Sequence, residues 1–429
     1  MNMCRKSFLT IQRYTACVSN ELCKENVAYS LLSAIVSCVG GSCLKGCFMK
    51  NLFSSKAFIV IAAVFITLII VVYVVVACMN LSGSKNQDSC LEDGLFKEYV
   101  GTEHMLTGWC LGNSLDTIVY KSGESVSYYE TAWGNPVTTK EMIDTVKQSG
   151  FDAVRIPVTW NDHLDVNGTI DQAWLDRVEE VVNYVLDNDM ICILNVHHDT
   201  GETAWIKADS SSLEKTKKGV ASLWRQIAER FRDYDQKLIF EGLNELLNNR
   251  NQWTDAPYDD YIAVNELNST FVQTVRSTGG ENQNRYLIVN TYAGSTDVRA
   301  LAMFVLPADT ADNRLIAEVH FYYSNTKSTD DMVKRVKSRF VDNNIPVIVG
   351  EYGMKGDPAD SNSVIERRNN TRYFVTKCRK VGVLGCFCWD DGGTFTDASG
   401  INNYAMLNRN RCQWYDQALV DAIVSSSGN

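Results

Sequence analysis

A chain of 429 residues with 51 acidic and 41 basic side chains is long enough for one large α/β barrel plus an appendage. Its net charge of −10 argues against nucleic acid or an anionic membrane face as ligand, and leaves a neutral polymer such as a polysaccharide open. Its 14 cysteines are too dispersed for a disulfide framework.

Residues 1–56 are basic and cysteine-rich, with Arg5, Lys6, Arg13, Lys24, Lys45, Lys50 and Lys56 against Glu21 and Glu25. Cys43 and Cys47 have metal-like spacing but no accompanying histidine, so no zinc site is expected there. Residues 57–79, "AFIVIAAVFITLIIVVYVVVACM", lie in a stretch with no charged side chain between Lys56 and Lys85. As a helix they reach roughly 34 Å, enough for a hydrocarbon core of ~30 Å. The run reads as a transmembrane helix or signal anchor. The basic flank keeps the N-terminal side in the cytoplasm and sends the bulk outward. A second reading starts at Met49, makes Cys78 the lipidated first residue of a secreted lipoprotein, and leaves residues 1–48 untranslated. Both readings tether residues 80–429 outside the membrane. Residues 80–94 are a polar linker and residues 95–429 a catalytic domain, expected to be monomeric.

From there, short β-branched runs alternate with amphipathic stretches. Strands are predicted over 105–113, 152–160, 190–198, 237–245, 286–292, 314–323, 346–353 and 382–390. Helices are predicted near 138–149, 171–188, 211–232, 258–277, 328–341, 361–380 and 413–425, with only 295–307 undecided. Apolar strands without strict alternation suit parallel strands buried on both faces. Eight of them with crossover helices predict an α/β fold, a (β/α)8 TIM barrel. A doubly wound sheet is the runner-up, but "GWCLGNSLD" after the first strand is not a phosphate loop.

Such barrels react at the C-terminal ends of their strands. Those ends supply Asn113, Arg155, Asn195 with His197 and His198, Asn244 with Glu245, Tyr292, His320 with Tyr322, Glu351 with Tyr352, and Trp389 with Asp390. Two carboxylates, Glu245 and Glu351, fit acetal cleavage, which needs one group to protonate the leaving oxygen and another to attack. Arg155 is placed to keep Glu351 ionised, and apolar walls are expected to raise the pKa of Glu245. Asn244 suits a sugar hydroxyl. Trp389, with Trp133, Trp205 and Trp253 in the loops, offers flat faces for pyranose rings. Glu241 reads as a core or supporting carboxylate. His197, His198 and Asp199 are weighed as metal ligands and set aside, because adjacent strand residues face opposite ways. Cys192, Cys386 and Cys388 read as buried hydrophobes. One or two bridges among Cys90, Cys110, Cys378 and Cys412 stay open.

The motifs "LGNSLD" (111–116), "ETAWGNP" (130–136), "GFDAVRIPVTW" (150–160), "NVHHD" (195–199), "IFEGLNE" (239–245), "EVHFYY" (318–323), "VGEYG" (349–353) and "WDDGG" (389–393) together resemble glycoside hydrolase family 5. They look most like the subfamily-four endoglucanases and xyloglucanases of anaerobic microbes. The resemblance implies a retaining double displacement without metal or cofactor, Glu245 as acid/base and Glu351 as nucleophile. It also implies supporting roles for Arg155, His197 or His198, Asn244, His320, Tyr322 and Trp389. The substrate class it implies is cellulose, mixed-linkage β-glucan or xyloglucan. Mannanase or xylanase action, differing in the loops around Trp133, Trp205, Trp253 and Phe395, is the alternative, and a non-catalytic glycan-binding barrel a third. One departure stands out: Leu246 follows Asn-Glu where family members commonly carry proline, which puts the rigidity of that loop in doubt.

Overall fold

The β-branched runs form eight parallel strands in a computed structural model that describes residues 95–96, 104–121, 123–357, 360–393 and 404–428. In chain order the elements are β1 (Leu106–Leu111), α1 (Val126–Glu130), α2 (Lys140–Gln148), β2 (Ala153–Ile156), α3 (Gln172–Leu186) and β3 (Ile191–Asn195). Next come α4 (Leu213–Arg230), β4 (Leu238–Glu241), α5 (Tyr258–Ser277), β5 (Leu287–Asn290), α6 (Val298–Met303) and β6 (Leu315–Tyr322). The last are α7 (Thr326–Arg339), β7 (Val347–Gly353), α8 (Ser361–Val381), β8 (Gly385–Asp390), β9 (Leu407–Asn408), β10 (Gln413–Trp414) and α9 (Gln417–Ser427). Strands β1 to β8 pair in sequence order and β8 pairs back onto β1, which closes the barrel and rules out the doubly wound sheet. The segments 1–56, 57–79 and 80–94, with Cys78 and Cys90, lie outside the described residues. Among the described residues no helix is long and apolar enough to cross a membrane.

Three local features differ from expectation. The undecided stretch 295–307 holds α6, started by Asp297, whose side chain accepts from Arg299 N. The unexpected α1 is only five residues long, too short for a periodic signal, and rests on its Ser125 cap. Strand β4 ends at Glu241, so Asn244 and Glu245 stand in the loop beyond it. The chain leaves the sheet there because Trp224 Nε1 takes the Gly242 carbonyl at 2.8 Å and Asn244 N bonds Val196 O.

The core has two parts. Between sheet and helices lies a large apolar layer containing Trp224, Phe240, Phe271 and Phe374. Inside the barrel, Leu106, Ile191, Ile193, Ile239, Ile288, Ile316, Ile348 and Phe387 form a separate cluster. These alternate along their strands with residues of the outer layer, as the period of two requires. Toward the strand ends the inward positions turn polar: Arg155, Asn195, Glu241, Asn290 and Glu318 are all buried. The inside is apolar below and ionic above, as in other barrels that react at the strand ends.

Of the bridges left open, none joins two of the described cysteines. Cys110, Cys378 and Cys412 are free thiols. Cys110 belongs to the barrel interior and donates to Gly350 O at 3.3 Å, whereas Cys378 packs in the outer layer. Cys192, Cys386 and Cys388 are buried in strands as expected.

Arg285 staples the connection from α4 to β4. Buried, it donates to the carbonyls of Phe231, Tyr234, Asp235 and Leu238 and to Asn282 Oδ1, at 2.6–3.1 Å. Burial lowers its pKa to about 10, so it remains a cation at neutral pH. Arg285→Met strands several buried acceptors at roughly 1–3 kcal/mol each. Allowing for partial relaxation, urea unfolding should show a loss of about 3–5 kcal/mol, read as a lower midpoint at unchanged slope.

Candidate active site

Arg155 enters from β2 at the inner end of the cleft, fully buried. Its Nε and Nη2 meet both oxygens of Glu241 on β4 at 2.6 and 2.7 Å, Nη2 also reaches Asn244 Oδ1 at 2.9 Å, and Nη1 reaches Glu351 Oε1 at 2.9 Å. Burial would weaken the cation, but Glu241, Glu351 and Glu318 hold its pKa well above the ordinary value. Glu241 is thus the supporting carboxylate it was read to be: it clamps the arginine in two-point geometry.

Simple alternation from Ile348, which faces inward, would turn Glu351 out of the barrel. The register of β7 slips against both neighbours here, with Val319 opposite Val349 but His320 opposite Glu351. Gly350 is the extra residue of this bulge, and it brings Glu351 back to the inner face. Only glycine fits: an added Cβ would lie 1.4 Å from Glu318 Oε1. Glu351 then accepts from Arg155 and, through Oε2, from the Tyr322 hydroxyl at 2.6 Å. Burial pushes its carboxyl up, yet His320, Arg155 and the Tyr322 bond together hold it below the ordinary carboxylate value.

Glu245 reaches the cleft from the loop after β4. Its Oε1 lies 3.0 Å from His320 Nδ1, and the same nitrogen is 3.6 Å from Glu351 Oε2. The apolar wall expected around Glu245 is replaced by this imidazole ring. One oxygen each from Glu245 and Glu351 and a ring nitrogen of His320 all lie within 4.8 Å of one another. Burial alone would lower the pKa of His320, but Glu351, Glu245 and Glu318 raise it well above the ordinary value, so the ring is an imidazolium.

His197 is the opposite case. Asn195 Nδ2 donates to Glu241 and faces His197 Nδ1 at 3.1 Å, so that nitrogen accepts and the ring proton sits on Nε2, 3.9 Å from Glu351 Oε1. Burial, then repulsion from His198, Arg155 and His320, keeps His197 neutral, well below the ordinary histidine value. Trp389 stacks on this ring, with centroids 5.6 Å apart and planes at 7°.

Residues 119–393 match the family described as Cellulase (glycosyl hydrolase family 5). Endoglucanase A of Ruminococcus albus is 35% identical over 353 residues, 77% of this chain and 92% of that protein. The chain belongs to glycoside hydrolase family 5. The Cellulase/esterase CelE of Acetivibrio thermocellus is 36% identical over 343 residues, 75% of this chain but 39% of that longer protein, so this family 5 chain spans well under half of it. A solved broad-specificity subfamily-four endoglucanase from Ruminococcus champanellensis, with bound cellotriose, superposes with a TM-score of 0.69. It is 35% identical, over 75% of this chain and 96% of that one.

In this glycoside hydrolase the structure brings Arg155, His197, Asn244, Glu245, His320, Tyr322, Glu351 and Trp389 into one connected set. His198 stands beside it. Its Nε2 is 3.8 Å from the buried Asp116, and its ring, with Trp205, lines a separate cavity of about 120 Å³ with Tyr120, Thr159 and Asn161. Strand β3 ends at Asn195, so His197 and His198 escape strand alternation and their rings pack edge to face at 4.5 Å. Asp199 is turned away, both oxygens engaged by Trp160 N and Trp205 Nε1. Trp205 is less of a platform than expected, since its ring packs where a side chain at Gly219 of α4 would stand. Trp133, 42% exposed, leans on His198 at 5.5 Å, and Trp253, 44% exposed, bonds Glu202. Asn113, at a φ of 56°, serves through its carbonyl, which accepts from Asn135.

Reasoning from sequence passed over Asn290, Glu318 and Gly350. The period of two was the available signal for Glu318, which shares an inner face with His320 two residues on.

The loop after Glu245 is firmly held. Leu246 and Leu247 are buried, Leu246 O accepts from Ala293 N, and Asn248 bonds the Tyr292 hydroxyl, Gln252 and Asp260. Leucine therefore fastens by burial what proline would stiffen by ring closure.

Two variants test the electrostatics. Arg155→Lys keeps a cation but loses the two-point clamp, and kcat should fall at least about 100-fold while the circular dichroism spectrum is kept. Tyr322→Phe removes a donor that favours ionised Glu351. The acid limb of the kcat/KM profile should then move to higher pH, because the carboxylate becomes easier to protonate.

Proposed function

We propose that the barrel hydrolyses internal β-1,4-glucosidic bonds of cellulose, mixed-linkage β-glucan or xyloglucan with retention of configuration. The carrying observation is the gap between Glu245 and Glu351, at most 4.8 Å between their nearer oxygens. That suits the ~5–5.5 Å carboxyl separation of retaining enzymes better than the ~6.5–9.5 Å of inverting ones.

In the first displacement Glu351 attacks the anomeric carbon, forming a glycosyl ester as the C–O bond to the leaving glucan breaks and Glu245 gives that oxygen a proton. In the second, water attacks the same carbon, Glu245 takes its proton, and the bond to Glu351 breaks. Arg155 and the Tyr322 hydroxyl favour the ionised form of Glu351, which makes it nucleophile first and leaving group later. Asn244 has its oxygen committed to Arg155, so its Nδ2 is the atom left to donate to a sugar hydroxyl. Trp389, steadied by His197, offers the stacking face for the reacting pyranose. The cellotriose held by the Ruminococcus champanellensis relative supports a β-glucan substrate. The full chain should release reducing sugar from soluble β-glucan, and proton magnetic resonance should show the β-anomer first; an α-anomer would overturn the assignment. Glu351→Ala and Glu245→Gln should each cut kcat on β-glucan by about 100-fold or more.

We also propose that residues 57–79 tether the enzyme to a membrane with the barrel outside. The uncharged run and the basic flank before it support this reading. Activity should sediment with membranes and be released by deleting residues 57–79. Cys78→Ala releasing it equally would favour the lipoprotein form.

A further inference from the structure

Glu318 is a carboxylate in the buried polar layer of the barrel, at its border with the aliphatic interior. Ile348 of β7 lies opposite it, and Ile316 and Ile288 are the inward residues next below on β6 and β5. It is wholly buried, and Oε1 has no hydrogen-bond partner; the cations nearest that oxygen are His320 Nε2 at 3.5 Å and Arg155 Nε at 3.8 Å. The other oxygen accepts from Asn290 Nδ2 of β5 at 2.6 Å. Glu241 of β4 faces it with like charge, and burial, then Glu241, raises its carboxyl to about 7. A buried acid beside another acid costs several kcal/mol unless something offsets it. Gly350 is moreover required to leave it room. Such an arrangement persists where it serves a site, not where it only fills space.

His320 is what it serves. The imidazolium has two N–H groups on opposite edges of the ring. Nδ1 points to Glu245 and lies near Glu351, while Nε2 has no hydrogen-bond partner and its nearest acid is Glu318 Oε1, at an ion-pair distance of 3.5 Å. We propose that Glu318 is a positioning residue that anchors His320 through Nε2, keeping Nδ1–H on Glu245 and so orienting that carboxyl for proton donation. Carboxylates hold the far nitrogen of metal-binding and catalytic histidines in the same manner. Glu318 thus acts at one remove: it touches no reacting atom.

This inference rests on Glu245 being the acid/base, and the test separates the two. Cleavage of an unactivated β-glucan needs a proton on the leaving oxygen, whereas 2,4-dinitrophenyl cellobioside expels a phenolate that needs none. In the full chain, Glu318→Gln should lose at least about tenfold more kcat/KM on β-glucan than on the dinitrophenyl substrate. Asn290→Ala, which frees the other oxygen of Glu318, should show the same split in smaller measure and serves if Glu318→Gln folds poorly. Glu245→Gln should show the split most strongly. If Glu245→Gln splits the substrates while Glu318→Gln and Asn290→Ala slow both equally, the positioning role is refuted and Glu318 is merely structural. If Glu245→Gln shows no split, the acid/base assignment itself falls.

Discussion

Everything at the mouth of this barrel depends on one buried guanidinium. Arg155 has no solvent exposure, and an isolated cation there would cost many kcal/mol. It is tolerated because its donors meet Glu241 at two points, Glu351 at one and Asn244 at one. The planar fork matters as much as the charge: it fixes the spacing between β4 and β7, and so where the carboxylate of Glu351 stands. A lysine ammonium would supply charge without that spacing. With His320 as a second cation, the site gathers acids at short range and still keeps Glu351 ionised.

The barrel divides its labour along its axis. The lower interior is aliphatic and contributes burial, roughly 1.5–3 kcal/mol for each large side chain, while the upper layer buries ions and amides at a cost. The two layers share the same strands, so each strand is anchored below and functional above. The bulge at Gly350 belongs to this division. Val349 still packs outward in the apolar layer and Tyr352 does so again two residues after the glycine, leaving Glu351 alone turned to the cleft. A regular strand would have placed either Glu351 or its neighbours on the wrong side.

Much of this was legible in the residues. Strands buried on both faces must be apolar at nearly every position, so the runs around Ile193, Ile239 and Val349 stood out with starts close to those observed, although β3 and β4 end well before the predicted 198 and 245. The two acids proposed to react were legible because barrels collect polar groups at strand ends. What could not be read was anything set by register or by a distant chain segment. Alternation alone turns Glu351 outward, and only its pairing with β6 and β8 reveals the slip. The wall beside Glu245 proved to be His320, brought across from two strands away. Trp205 looked like a loop platform until Gly219 of α4 opened a slot for it. Glu318 was visible as the start of "EVHFYY", but its burial comes from the closure of the sheet around it.

The two acids differ in exposure, as the roles proposed for them require. The side chain of Glu351 is 5% exposed and that of Glu245 is 23% exposed. A nucleophile must stay ionised and dry, so that its charge is not spent on water and its ester is not hydrolysed early. An acid/base must lose a proton in one step and take one from water in the next, so it has to border solvent. The first is therefore built into a strand, bonded by Arg155 and Tyr322. The second rides on a loop, where mobility is the default. Buried Leu246 and Leu247 remove most of that mobility from beneath, and His320 restrains the carboxyl from above. Replacing the customary proline thus moves the source of rigidity from the backbone to the core, and leaves the one acid that must meet water at the edge of it.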